Sequence, residues 1–319
     1  MTTAATTETT FPAHYSPQDI KLVTFVQAWL KQNGYTQASL ARLSRVNAST
    51  LNQILKGSYP TSPSKILVTV ESATHRAEEA NAQDIGIIET SVFNLVQVAC
   101  SQARNYRNFA VISAYVGTGK TFALKHYVKN NPNSYLIEAT PTMNVNSFVK
   151  KLSQTVLGNT GKGSLEDRLQ AVIDSLYNTD SIVALDEAET MTPKVLHTVR
   201  RLRDIAGIGI VLSGTEHLRG IIQPERGQFD QIRSRCGFFP ATIQEITKED
   251  TAALVQAAFI KEEINDAVIE RMRSYCGGSA RMLVEGMIAG IIKFRDGRAL
   301  TIALVDAVAK QVLCLKQIK

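Results

Sequence analysis

The hydrophobic rhythm of the chain changes once, near residue 89. Before that point apolar residues recur at helical spacing. Ile20, Val23, Val26 and Leu30 fall on one face of a helix over 18–32, which Asn33 and Gly34 stop. Leu40, Ala41 and Leu43 mark a short second helix, and Val46 and Asn47 a turn. A third helix over 49–56 turns Leu51, Ile54 and Leu55 inward and ends at Gly57, and a fourth covers 64–80. After residue 89, short β-rich runs alternate with helical patterns. The runs are 109–114, 135–139, 182–185, 208–212 and a weaker one at 238–243, with helices near 90–105, 119–130, 144–157, 165–178 and 192–206. Strands separated by helices predict a parallel sheet covered on both faces. From Lys248 onward only helical patterns remain, which predicts a small helical lid.

The first predicted strand runs into Ala114, Tyr115, Val116, Gly117, Thr118, Gly119, Lys120 and Thr121. This is the P-loop pattern, with Ala114 where a glycine usually stands. Gly117 and Gly119 let backbone N–H groups turn inward around phosphates, and the helix that follows points its positive end at them. Lys120 is placed to reach the β- and γ-phosphates of ATP, and the Thr121 hydroxyl to ligate Mg²⁺. A later strand, 182–185, delivers Asp186 and Glu187. Asp186 is expected at the metal, through water, and Glu187 at the attacking water.

Three further groups resemble those that complete an AAA+ ATPase site. Ser213, Gly214 and Thr215 end the strand beside the acid pair, where these proteins place a residue that senses the γ-phosphate; Thr215 is preferred and Ser213 held in reserve. Arg233 and Arg235 precede the last strand, and Arg235 is the better candidate for an arginine acting on a neighbouring subunit's nucleotide. Gly277, Gly278, Ser279 and Ala280 lead to Arg281, placed to face the phosphates from the lid.

Segment 35–57 resembles a repressor-type helix-turn-helix. Its second helix would offer Asn47, Ser49, Asn52 and Gln53 to a DNA groove and Lys56 to phosphate. In the core, Lys125, Lys129, Lys150, Lys151 and Lys162 form a second candidate DNA-contacting set. Lys194, Arg200, Arg201 and Arg203 are also basic, and a solvated helix face is the default reading of both groups.

Bulk properties agree without deciding. The net charge of +6 over 319 residues permits nucleic-acid binding but does not establish it. The four cysteines and five histidines are scattered, which argues against a disulfide framework or a zinc site. No apolar run is long enough to cross a bilayer, and the first residues lack the features of a signal peptide, so the expected location is the cytoplasm, with no membrane partner.

The order of parts, a helix-turn-helix head, a compact core with Gly117–Thr121, Asp186-Glu187-Ala188 and Ser234-Arg235, and a short lid, resembles the family of the phage Mu transposition activator, and more loosely the ATPase subunits of other transposons. The resemblance spans the chain from about residue 18. It implies ATP-bound subunits that assemble as a helical filament, or a ring, on double-stranded DNA with little sequence preference. The assembly would present target DNA to a transposase and stimulate strand transfer, and hydrolysis would dissolve it. A nucleotide-switched transcriptional regulator and a helicase loader remain alternatives. The expected fold class is α/β: a P-loop AAA+ parallel sheet with helices on both faces and a small helical lid, preceded by an all-α helix-turn-helix domain. The expected divisions are a disordered tail at 1–15, the head at 16–74, a linker at 75–89, the nucleotide-binding core at 90–247 and the lid at 248–319.

Overall fold

The structure, a computed structural model, describes residues 11–82, 86–223, 227–260 and 262–317. Two compact units divide the chain, Met1–Ile85 and Gly86–Lys319.

The N-terminal unit is all-helical: α1 Pro17–Asn33, α2 Gln37–Ser44, α3 Ala48–Leu55 and α4 Ser64–Ala82. Local chemistry sets the boundaries. Ser16 and Asp19 close a reciprocal capping box on α1, which Gly34 ends at φ 68°. Thr36 caps α2 and Asn47 caps α3. Val23, Val26, Trp29, Leu40, Leu51, Ile54, Leu67 and Val70 meet in one core. Two expectations change. Residues 11–15, read as tail, are packed: Tyr15 is buried with its hydroxyl donating to the Ile54 carbonyl, and Phe11 lies against the same core. Residues 1–10 and 83–85 lie outside the described residues. The start of the expected linker is helical, since α4 continues to Ala82.

The second unit begins with α5 Ser91–Tyr106 and then alternates strands and helices: β1 Phe109–Ser113, α6 Lys120–Asn130, β2 Ser134–Glu138, α7 Val145–Leu157, α8 Leu165–Leu176, β3 Ile182–Asp186, α9 Pro193–Ala206, β4 Gly209–Gly214, α10 Glu216–Ile222, α11 Asp230–Arg233 and β5 Cys236–Phe238. The strands form one parallel sheet in the order β2-β3-β4-β1-β5. Successive strand residues point to opposite faces, and this sorts the core in two. Val111, Val183, Leu185, Ile210 and Leu212 pack with α7, α8 and α9, whereas Ala110, Ile112, Ile182, Ala184 and Val211 pack with α5 and α6. Both faces are thus covered, as the continuous apolar runs predict.

The weak fifth strand is displaced from 238–243. It pairs with β1 only over Cys236–Phe238, because Pro240 lacks a donor and interrupts the ladder. The chain rejoins at Ile243, which donates to the Ser113 carbonyl and accepts from the Tyr115 N–H.

The lid comprises α12 Lys248–Ala258, α13 Asp266–Cys276, wide turns over Met282–Ile288 that pass into α14 Ala289–Phe294, and α15 Ile302–Ala307. Buried Asp250, in the first turn of α12, accepts from the Ser91 N–H at 2.7 Å and the Ser91 hydroxyl at 2.5 Å, tying the lid to the start of α5.

Two outcomes follow. A Cβ on Gly209 would run into the backbone of Ala103, which cannot yield as a side-chain tip can. Gly209→Ala should lower the unfolding free energy by about 1–3 kcal/mol or more, measured by calorimetry on the whole chain. In the N-terminal unit, burial pushes the Asp19 carboxyl up, but hydrogen bonds from Ser16 and Ser64 outweigh it and hold the group below the usual carboxylate range. Its contribution is full above the unfolded carboxylate pKa and fades as pH falls through the lowered folded value. Trp29, the chain's single tryptophan, is buried in this unit, so its fluorescence follows this unit's unfolding. Asp19→Asn should lower the urea midpoint at neutral pH, and the gap from the parent should close in acid.

Candidate nucleotide-binding site

The site sits at the ends of the central parallel strands, where a P-loop fold binds ligands. β1, buried throughout, passes through Ala114 into the loop and then α6. Gly117 lies at φ 82° and Gly119 at φ 104°, conformations that a side chain would strain. Gly119 stands at the N-cap of α6 and leaves the first-turn N–H groups directed into the loop. Lys120, only 9% exposed, folds back so that its ammonium donates to the carbonyls of Ala114 at 2.6 Å and Tyr115 at 3.1 Å. Burial pushes its pKa down, and the carboxylates of Asp186, Glu189 and Glu216 partly restore it. The Thr118 hydroxyl donates to the Tyr115 carbonyl, whereas the side chains of Tyr115 and Val116 are exposed. Ala114 is fully buried between β1 and Ile243, so the position where the sequence lacks the usual glycine holds a methyl group inside the sheet edge.

Asp186 is the centre of the acidic side. Its carboxylate is 3% exposed and accepts two hydroxyl hydrogen bonds, from Thr121 at 2.6 Å and from Ser213 at 2.9 Å. One arrives from the first turn of α6 and the other from β4, so three elements converge on one buried charge. The Thr121 hydroxyl and Asp186 carboxylate are hard oxygen donors of the kind that suits Mg²⁺, which keeps most of its remaining positions for water and phosphate. Among the described residues, no group of three or more His, Cys, Asp or Glu side chains could hold a metal ion.

Glu187 follows at φ 54° with its side chain exposed. The short turn Ala188–Thr190 then carries Glu189 back against Gly214. Ser213, held in reserve from sequence, is bonded to Asp186, while the Thr215 hydroxyl is buried without a hydrogen-bond partner. From the lid, the Arg281 N–H donates to the Gly117 carbonyl at 2.9 Å. A Cβ on Gly117 would strike the Ser279 hydroxyl, so the lid lies directly on the phosphate loop. Arg281's own side chain is exposed.

The arginines before β5 are engaged within the subunit. Arg235 donates to Asp204 at 2.9 Å and to the Gln231 carbonyl at 2.6 Å. Arg233 lies over the Phe239 ring, 4.7 Å from its centroid, as does Arg219 at 4.6 Å. The candidate DNA-contacting residues lie on separate units. Asn47 spends its side-chain oxygen on the N–H and hydroxyl of Ser49, Asn52 is half-buried, and Gln53 and Lys56 are exposed. In the core, Lys125 pairs with Glu138 at 2.7 Å and Lys151 donates to the Glu138 carbonyl, while Lys129, Lys150 and Lys162 are exposed. The sequence reading did not single out Glu189; its signal is an acid three residues after Asp186, where a tight turn can bring it back to the strand ends.

The family model described as an AAA domain matches residues 103–222. The Mu-like prophage FluMu DNA transposition protein B of Haemophilus influenzae is 25% identical over 273 residues, covering 83% of this chain and 94% of that protein. The ATP-dependent target DNA activator B of Escherichia phage Mu is 26% identical over 132 residues, covering 41% of this chain and 42% of that protein. Among solved structures, domain III of the Thermotoga maritima replication initiation protein DnaA superposes with a TM-score of 0.47 at 16% identity, covering 72% of this chain and 95% of that one. The AAA domain and the site identify the chain as an ATPase.

If the Ser213 hydroxyl is a partner that Asp186 depends on, Ser213→Ala leaves one oxygen of a buried carboxylate short of a donor. The expected cost is about 1–3 kcal/mol, read as a lowered denaturant midpoint of the second unit by circular dichroism. Ser213→Thr, which keeps the hydroxyl, should recover part of it.

Proposed function

We propose that this chain, a relative of the phage Mu transposition activators, is an ATP-dependent DNA-binding ATPase that assists transposition. ATP-bound subunits assemble as a helical filament on double-stranded DNA with little sequence preference, present that DNA to a transposase and stimulate strand transfer. Hydrolysis then takes the filament apart. The observation that carries the reading is the convergence of Lys120, Thr121, Asp186 and Ser213 at the phosphate loop, in a chain whose relatives are named for transposition and for ATP-dependent target-DNA activation.

In this reading the loop N–H groups of 115–121 and the start of α6 hold the phosphates, and Lys120 exchanges the carbonyls of Ala114 and Tyr115 for phosphate oxygens. Thr121 and, through water, Asp186 would hold Mg²⁺, which would supply positive charge against the phosphates. Glu187 orients the attacking water. Thr215, with a buried hydroxyl in want of a partner, senses the γ-phosphate. Arg281, anchored to the loop through its backbone, reports nucleotide state to the lid. Arg235 acts on the nucleotide of a neighbouring subunit once it leaves Asp204. The head, with Gln53 and Lys56 on an exposed helix face, and the core lysines 129, 150 and 162 supply DNA-backbone contacts.

The test is binding of the full chain to a random-sequence duplex by fluorescence anisotropy, with no nucleotide, ADP, ATP or a slowly hydrolysed ATP analogue, at two salt concentrations. Binding should be cooperative, tighter with ATP than with ADP by about tenfold or more, and steeply weakened by salt. Lys120→Ala should abolish the ATP dependence. Binding indifferent to nucleotide, or confined to one particular sequence, would overturn the filament and favour a transcriptional regulator.

A further inference from the structure

The acidic side of the site contains a carboxylate that the roles above leave unused. Glu189 lies in the short turn after β3, and its side chain is directed back over the tip of β4, so that a Cβ on Gly214 would collide with its Oε2 atom. That oxygen is fully buried and has no hydrogen-bond partner. One residue beyond Gly214, the Thr215 hydroxyl is in the same condition, although Thr215 stands at the N-cap of α10, where such a hydroxyl ordinarily accepts from its own helix. Two unsatisfied polar groups therefore flank one glycine beside the phosphate loop. Among the acids acting on the Lys120 ammonium, Glu189 ranks directly after Asp186. Glu187, by contrast, is turned to solvent by its left-handed backbone.

A buried carboxylate oxygen without a donor is costly, and proteins retain such groups where a ligand completes them. A carboxylate cannot pair directly with phosphate oxygens, since both are anionic. Its partner beside a bound nucleotide must be a donor, and the donor available there is water. We propose that Glu189, with Thr215, accepts the hydrogen bonds that orient the attacking water in ATP hydrolysis, making it a second acidic residue of the hydrolytic centre alongside Glu187. In that step the water oxygen bonds to the γ-phosphorus as the bond to the bridging oxygen breaks. The electron pair stays on ADP, and the water's proton leaves with the released phosphate. The inference rests on the reading of the site as an ATPase.

Two full-length variants test it. Glu189→Gln keeps the shape and removes the charge. Gly214→Ala keeps the carboxylate and pushes its Oε2 aside; the added methyl also meets the Cβ of buried Leu218 at 3.0 Å, so its thermal midpoint is measured beside its kcat. Four quantities are measured: kcat, KM, affinity for a fluorescent ATP analogue, and trapping of ADP with aluminium fluoride, which mimics the transition state without turnover. Both variants should lose kcat by about tenfold or more and trap poorly, while ATP-analogue affinity stays within about twofold. The thermal midpoint of Glu189→Gln should hold or rise, because the buried Oε2 has no donor to lose; a merely structural carboxylate would give a fall. Retained kcat and trapping in Glu189→Gln, or loss that only follows weakened nucleotide binding, overturns the inference and leaves the ATPase reading intact. A parent chain that neither binds nor hydrolyses ATP, or is indifferent to Lys120→Ala, sinks both.

Discussion

The second unit is organised around one buried negative charge. Asp186 ends a strand that is covered on both faces, where an ionised carboxylate is stable only if hydrogen-bond donors replace the lost water. Thr121 and Ser213 do so, from the start of α6 and the end of β4. Each donor constrains its own element. α6 must begin where the loop glycines release it, and β4 must lie in register between β3 and β1. Charge satisfaction thus joins the ladder hydrogen bonds and apolar packing in fixing the relative placement of phosphate loop, acidic strand and β4.

Two of the lid's attachments bracket this centre. Asp250 joins the first turn of α12 to the first turn of α5, and Arg281 joins the lid backbone to Gly117. The first contact is buried and charge-assisted, a fixed anchor. The second lies on the phosphate loop itself, where Gly117 leaves no room for a side chain beneath Ser279. Any rearrangement of the loop is therefore felt by the lid, and the wide turns over Met282–Ile288 follow immediately after that contact, in the kind of backbone often found at functional positions.

The basic residues present a different economy. Arg235 is held by Asp204, which also meets Arg200 and Arg203, and Arg233 shares the Phe239 ring with Arg219. An arginine acting on a second subunit, as proposed above, would have to exchange such partners for phosphate oxygens, so that assembly would compete with contacts inside the subunit. The same holds for Lys125, whose pKa its hydrogen bond to Glu138 raises. Positive charge counted along the sequence therefore overstates what is free to meet a polyanion.

The sequence by itself determined the alternation of strands and helices, the P-loop, the acid pair and the helical head, because these rest on local periodicity, on glycine's conformational freedom and on spacing within one segment. β1 to β4 fall within a residue or two of where the apolar runs put them. Most of the departures involve partners distant in the chain. Residues 11–15 are ordered because Tyr15 reaches Ile54, and β5 is displaced because Pro240 breaks its pairing with β1. Ser213 rather than Thr215 meets Asp186 because the pairing of Leu185 with Leu212 brings Ser213 level with the carboxylate, whereas β4 ends at Gly214 and Thr215 turns away as the N-cap of α10. Glu189 joins the site for a similar reason. A turn three residues long returns it to the tip of a strand more than twenty residues further on, a proximity that no local pattern encodes.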